Sequence, residues 1–342
     1  MGVSRPSKQA PRSRNSPAKR GDRSWQGAAL GIDLGGTKIA LGIVAADGRI
    51  LDGDRLATRA DRPAGEVIAE IATHVRERWG GRLPRTRPAG VGVAGQVDRK
   101  GNVVFGPHLG WHEVPLGTDL ARELSRPVSV LNDVQAAIYG EWKHGAARGL
   151  DNVLGVFVGT GVGGGIILDG QLRQGAVGCA GEFGHLSVER DGRKCHCPGS
   201  GCLDAYVGGW AIAERARAAV ERAPDDGRRL LAIAGTARAI TSETVEEAFL
   251  AGDPLARTIV QDTIDYLADG LVAIVNSFNP ETVVLGGGVF HGLRSLLPSL
   301  ERRVKARALP AVARVLHIVP AALGGESGVV GAATFARDGA AR

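Results

Sequence analysis

Apolar and polar positions divide the chain into strands and helices from about residue 28 onward. "AALGIDLGGTKIALGIVAADGRIL" reads as a strand, a glycine turn, a second strand, an Asp-Gly turn and a third strand. In "AGEVIAEIATHVRERW" the spacing of Val67, Ile68, Ile71 and Val75 predicts a helix with one apolar face. "PAGVGVAG" and "PVSVLN" are short apolar runs of the buried-strand type, and "DVQAAIYGEWKHG" follows the second as a helix. "NVLGVFVGTGVGGGIILDGQL" repeats the strand–turn–strand theme. Residues 209–222 and roughly 243–278 read as helices, "ETVVLGGG" as a strand ending in glycines and "ARVLHIVPA" as another strand. "ESGVVGAATFAR" reads as a closing helix. Strands alternating with helices define the α/β class.

Two segments echo each other. "GIDLGGTKIALGIV" (31–44) and "GVFVGTGVGGGIIL" (155–168) align without gaps at Gly31/Gly155, Gly35/Gly159 and Ile43/Ile167. A spacing of this length is no solenoid repeat. It predicts two similar halves, each opening with a β-hairpin.

The chain has 342 residues, enough for two domains, and 44% hydrophobic residues, as a globular protein has. The formal net charge is +6, and residues 1–28 account for all of it, with seven Lys/Arg against Asp22. A neutral body argues against nucleic acid as a partner. The tail, "MGVSRPSKQAPRSRNSPAKRGDRSWQG", is rich in Ser, Arg and Pro and reads as disordered. It lacks the apolar core of a secretory signal and the length of a helix-turn-helix domain, though its Arg/Ser bias resembles a transit peptide. No run of about 18 apolar residues predicts a membrane span. Four cysteines are too few for a secreted disulfide scaffold, so a cytoplasmic, reducing setting is expected.

The glycine turns carry candidate chemistry. Glycine lets backbone N–H groups approach an anion closely. Two such turns facing across a cleft would grip a polyphosphate, although each alone is also an ordinary hairpin. Neither is a Walker A loop, and each leads into a strand, unlike a dinucleotide fingerprint. Asp33 precedes the first turn, where Phe157 precedes the second. A carboxylate on a buried strand calls for a cation, such as Mg²⁺ on a nucleotide. Lys38 follows the turn, where its ammonium can either meet a phosphate or stay solvated. Asn132 and Asp133 mark a strand end and a helix start, either as a helix cap or as a pair that orients a hydroxyl and takes its proton.

"GEFGHLSVERDGRKCHCPGSGC" gathers His185, Cys195, Cys197 and Cys202. The spacing is not that of a DNA-reading finger. A Cys₃His set is the closed, four-coordinate arrangement of structural zinc. A Cys195–Cys197 disulfide would close a very small, strained loop. Cys179 stands apart as a plain thiol.

"GIDLGGTKIALGIV", "LNDVQAAIYGE", "GTGVGGGI", "GEFGH", "CHCPGSGC" and "VVLGGGV" occur together in an order and spacing that resembles the ROK family (repressor, open reading frame, kinase), over roughly residues 28–337. The resemblance implies the actin-like ATPase/sugar kinase fold, two ribonuclease H-like α/β domains around a cleft. The expected division is a disordered basic tail (1–27), a small domain (28–134) on which a C-terminal helix (325–338) packs, and a large domain (135–324) with a zinc loop. The resemblance implies ATP and Mg²⁺ on Asp33, Gly35, Gly36, Thr37 and Lys38, on Gly159, Thr160 and Gly161, and on Gly286, Gly287 and Gly288. It implies a sugar on Asn132, Asp133, Glu182, His185 and Asp204, with Asp133 as catalytic base. It makes His185, Cys195, Cys197 and Cys202 the zinc ligands and a homodimer or homotetramer the expected assembly.

The expected activity is a glucokinase, phosphorylating the glucose 6-hydroxyl. The alternatives are another hexose (fructose, mannose, allose), N-acetylglucosamine or N-acetylmannosamine, polyphosphate as donor, or a sugar-sensing regulator. Regulators of the family carry a DNA-binding domain ahead of the sugar domain, whereas about 28 residues precede the first strand here. Three positions depart from the family pattern. His108 stands for Asn, Pro198 for Gly, and Asp204 for a sugar-contacting Glu.

Overall fold

A computed structural model describes Trp25 and residues 27–340. The first half contains β1 (Ala29–Leu34), β2 (Lys38–Val44), β3 (Ile50–Ala57), α1 (Ala64–Trp79), β4 (Ala89–Val93), the small strands β5 (Gln96–Val97), β6 (Val103–Gly106) and β7 (Trp111–Val114), α2 (Leu116–Leu124), β8 (Val128–Asn132) and α3 (Asp133–His144). The second half begins with β9 (Val153–Val158), β10 (Val162–Leu168) and β11 (Gln171–Leu172). A helical stretch follows: α4 (Asp204–Val207), α5 (Gly209–Arg222), α6 (Arg228–Ala234), α7 (Ser242–Leu250) and α8 (Pro254–Phe278). The chain closes with β12 (Thr282–Gly286), α9 (Gly288–Gly292), α10 (Leu297–Arg307), α11 (Pro310–Val315), β13 (His317–Pro320) and α12 (Ser327–Ala340).

The internal echo is a topological repeat. One sheet has the order β3-β2-β1-β4-β8 and the other β11-β10-β9-β12-β13. In each, the opening hairpin is antiparallel and the remaining strands run parallel to its first strand. Separate apolar cores cover the two sheets.

Helix α3 lies between the sheets. Ala136 packs with Leu131 of β8 and Ala332 of α12, while Ile138 packs with Val153, Ile167 and Val284 of the second sheet. Helix α12 returns across the first sheet, with Val329, Val330 and Ala333 against Ala29 and Val44. The approach is backbone to backbone: a Cβ on Gly31 or Gly90 would stand 2.1 Å from Val329 O or 1.8 Å from Ala332 O. The helix therefore needs glycine on both strands beneath it.

Three expectations change. The helix expected over 243–278 breaks between Leu250 and Pro254, because Gly252 takes φ +80° and Asp253 caps a new helix with Pro254 in its first turn. The strand expected in "ARVLHIVPA" starts only at His317, since Pro310 opens helix α11. Trp25, placed in the disordered tail, is buried against the first sheet, with the Arg82 guanidinium 4.5 Å over its ring. The rest of the tail expectation, Gly27 apart, lies outside the described residues. No helix among the described residues is long and apolar enough to cross a membrane.

Candidate active site

The parallel strands of the first sheet bring their carboxyl ends together. Asp33 on β1 is level with Gly92 on β4, and Val93 is level with Asn132 on β8. Ligands of open α/β sheets collect at such carboxyl ends. Asn132 caps α3: its Oδ1 accepts from the N–H groups of Val134 (2.9 Å) and Gln135 (3.1 Å). Its Nδ2 donates to Gly95 O at 3.1 Å, which leaves one N–H of the amide for a ligand. The capping reading of Asn132 is therefore realised, and it sets Asp133 as the first residue of α3, where its Oδ1 accepts from Val134 N at 2.9 Å.

Burial, above all, pushes the Asp133 carboxyl up to about 7, and the nearby Asp33 and Glu182 charges push it the same way. Burial also raises Asp33, to about 6, against the pull of Lys38. The Asp33 and Glu182 charges both act on Asp133, so β1, the start of α3 and the loop at residue 182 are near one another. A carboxylate this far up is matched to taking a proton near neutral pH. Asp33 has Lys38 as its neighbouring positive charge, and a divalent cation brought by a nucleotide would answer its burial.

Both glycine turns have their carbonyls tied inward. In the first, Thr58 Oγ1 donates to Gly35 O at 2.6 Å and Thr58 N to Thr37 O at 3.0 Å. In the second, Gly209 N donates to Gly159 O at 2.9 Å and Trp210 N to Thr160 O at 3.1 Å. The N–H groups of Gly36, Thr37, Thr160 and Gly161 have no protein partner among the described residues and remain for an anion. Thr37 and Lys38 are exposed at the turn, and His108 lies over it, 2.9 Å from where a Gly36 Cβ would stand. Gly286 ends β12, Gly287 takes the N-cap position of α9 and Gly288 begins that helix. Gly287 takes φ +91°, and a Cβ there would meet Val158 O at 2.2 Å, so this bend requires glycine.

His185 sits between two functions. Its Nδ1 lies 3.7 Å from Cys195 Sγ and its Nε2 4.0 Å from Glu182 Oε2. Burial raises the Glu182 carboxyl, and His185 opposes that. Cys197 Sγ and Cys202 Sγ are 3.6 Å apart, and one ligand atom from each of His185, Cys195, Cys197 and Cys202 falls within 4.8 Å of the rest. Tetrahedral zinc with bonds of about 2.3 Å has edges of about 3.8 Å, so the four residues fit the metal. Cys179 stays outside the cluster, half-buried beside Val97.

Asp204, expected at the sugar, is turned into the protein. It is buried, its Oδ1 accepts from Val162 N at 2.7 Å, and its Oδ2 accepts from Trp210 Nε1 at 2.8 Å. Sequence reasoning passes over Thr58 and Trp210, whose contacts with the turns are 21 or more residues distant in the chain. It also passes over Gln135, whose Nε2 holds the loop before Glu182 through Gly178 O (2.9 Å) and Ala180 O (3.0 Å).

The ROK family profile matches residues 29–339. A glucokinase of Streptomyces coelicolor is 34% identical over 91% of this chain and 98% of its own length. An N-acetylmannosamine kinase of Vibrio cholerae is 32% identical over 81% of this chain and 89% of its own. A solved ROK family glucokinase from Streptomyces griseus, in complex with glucose and AMPPNP, superimposes with a TM-score of 0.80 at 34% identity, covering 91% of this chain and 99% of that one. With the two paired sheets of like topology, these likenesses show that the chain belongs to the ROK family and has the actin-like sugar kinase fold.

Proposed function

We propose that this protein transfers the γ-phosphoryl group of ATP to the 6-hydroxyl of glucose. The observation that carries the reading is Asp133: a carboxyl raised to about 7 at the start of α3, where the parallel strands of the first sheet end, with the Asp33 and Glu182 charges acting on it. The sugar oxygen attacks the γ-phosphorus, the bond from that phosphorus to the β–γ bridging oxygen breaks, and ADP leaves. The hydroxyl proton passes to Asp133. Thr37, Thr160 and the turn N–H groups hold the phosphates, and Asn132, Glu182 and His185 hold sugar hydroxyls. Asp33 would hold Mg²⁺ arriving with ATP, which when bound would neutralise developing charge. His185, Cys195, Cys197 and Cys202 would hold zinc, which when bound would stiffen the loop that presents Glu182.

The test is an ADP-release assay over glucose, fructose, mannose, allose and the two N-acetylhexosamines, with ATP and with polyphosphate as donors. Glucose with ATP is expected to give the highest kcat/KM. An Asp133→Asn variant that turns over glucose at the wild-type rate would refute the base. A second reading changes the acceptor to another hexose or an N-acetylhexosamine. It is favoured by Asp204, whose carboxylate is engaged by protein donors instead of facing the cleft. The same assay decides it.

A further inference from the structure

The slot that holds Asp204 joins the zinc loop to the second glycine turn. Asp204 lies two residues beyond Cys202 and opens α4. Its Oδ1 takes the N–H of Val162, the residue that leaves the Gly159–Gly161 turn. Its Oδ2 takes the indole N–H of Trp210, whose own backbone N–H holds Thr160 O. The Trp210 ring in turn packs on His196, between two of the cysteines, with ring centres 4.1 Å apart.

Two glycines keep the slot open. A Cβ on Gly161 would stand 2.9 Å from Asp204 Oδ1, and one on Gly208 would stand 2.8 Å from the same atom. An aspartate fits this space. A glutamate carries one more methylene and would push its carboxylate out of it.

A buried carboxylate beside an anion-binding turn is unfavourable unless its charge is answered by hydrogen bonds. Both oxygens here have charge-assisted donors, and both donors belong to groups that shape the turn. We infer that Asp204 is a positioning residue for the turn that holds the nucleotide phosphates, and not a sugar contact. The inference rests on the reading of Gly159–Gly161 as a phosphate turn. It assigns the zinc loop a second output: His185 and Glu182 face the sugar side, while Asp204 and Trp210 fix the phosphate side.

The conservative variants separate the two roles. Asp204→Asn places an amide N–H against either Val162 N–H or Trp210 Nε1–H, so one donor loses its acceptor. AMPPNP affinity, measured by calorimetry with Mg²⁺, is expected to fall about tenfold. Glucose affinity, measured in the same way, is expected to change less than about twofold. The double variant Asp204→Asn/Trp210→Phe removes the conflict, since the amide nitrogen then faces a ring without a donor. It is expected to bind AMPPNP more tightly than Asp204→Asn alone, a recovery that a misfolded variant would not show. Asp204→Glu is expected to weaken AMPPNP binding while tightening glucose binding.

Wild-type protein that binds no AMPPNP would sink the parent reading, and this inference with it. Wild-type protein that binds AMPPNP, beside an Asp204→Asn variant that binds it equally and glucose more weakly, would sink this inference alone.

Discussion

His185 turns one ring nitrogen to Cys195 and the other to Glu182, at 3.7 Å and 4.0 Å. A metal held at Nδ1 would fix the ring, and a fixed ring has an Nε2–H donor of defined direction. Zinc bound there would therefore bear on sugar binding without touching the sugar. Removal of the metal by a chelator, checked by elemental analysis, is expected to raise the sugar KM by about tenfold or more. Zinc-free protein with an unchanged sugar KM would end this account of the loop.

Asp133 links activity and stability with opposite signs. If Asp133 is the base, replacing it by Asn removes the proton acceptor, and kcat is expected to fall about 10²–10⁴-fold. The folded-state carboxyl is raised to about 7 from an ordinary 3.8, so the folded protein holds the proton more tightly than the unfolded chain. Its contribution to stability is fully present below about 3.8 and is lost as the pH rises through about 7. At pH 8 the wild type carries this burden and Asp133→Asn does not. The variant is expected to be more stable at pH 8 by on the order of 1–3 kcal/mol, with the difference vanishing near pH 4. Thermal unfolding at both pH values checks it, and a variant less stable at pH 8 than the wild type contradicts it.

Much of this fold is legible in the sequence because its punctuation is local. The glycine turns after Leu34 and Val158, the Asp-Gly turn at Gly48 and the cap at Asn132 each act within a few residues. The two halves are legible for the same reason, since both hairpins carry glycine at two matching positions, Gly31/Gly155 and Gly35/Gly159. What stays hidden depends on partners far along the chain. Trp25 reads as tail until Arg82 is placed above it, and the residues around Asp204 in the chain do not reveal that Val162 N and Trp210 Nε1 donate to its carboxylate. Glu141 reads as one more polar position on a helix, yet it is fully buried.

The pH dependence has a separable cause. If Asp133 is the base, kcat/KM falls as the pH drops through about 7. After burial, the Asp33 charge is the leading reason the Asp133 carboxyl is raised. Asp33→Asn is therefore expected to move this acid limb to lower pH by roughly half a unit to one unit, while kcat falls through weaker handling of Mg²⁺. A limb that stays in place, or moves up, separates the two carboxylates and removes Asp33 from the account.

Glu141 fastens the closing helix. Its Oε2 accepts from Ala146 N (2.9 Å) and Ala322 N (3.0 Å), and its Oε1 accepts from Leu323 N and Ser327 Oγ, both at 2.8 Å. One side chain on α3 thus satisfies the loop that leads into α12, and α12 covers the strands that carry Asp33 and Gly92. Glu141→Gln sets an amide donor against backbone donors and leaves at least one of them unsatisfied. The expected cost is about 2–3 kcal/mol of stability, read as a lower unfolding midpoint in urea. Because α12 reaches Asp33 through Gly328, whose Cβ position lies 2.8 Å from the Asp33 Cγ, the loosening should also register at the cleft. The KM for Mg²⁺-ATP is expected to rise in Glu141→Gln, and saturating AMPPNP is expected to restore part of the lost stability. A variant that loses stability with no change in nucleotide KM would confine Glu141 to holding the helix.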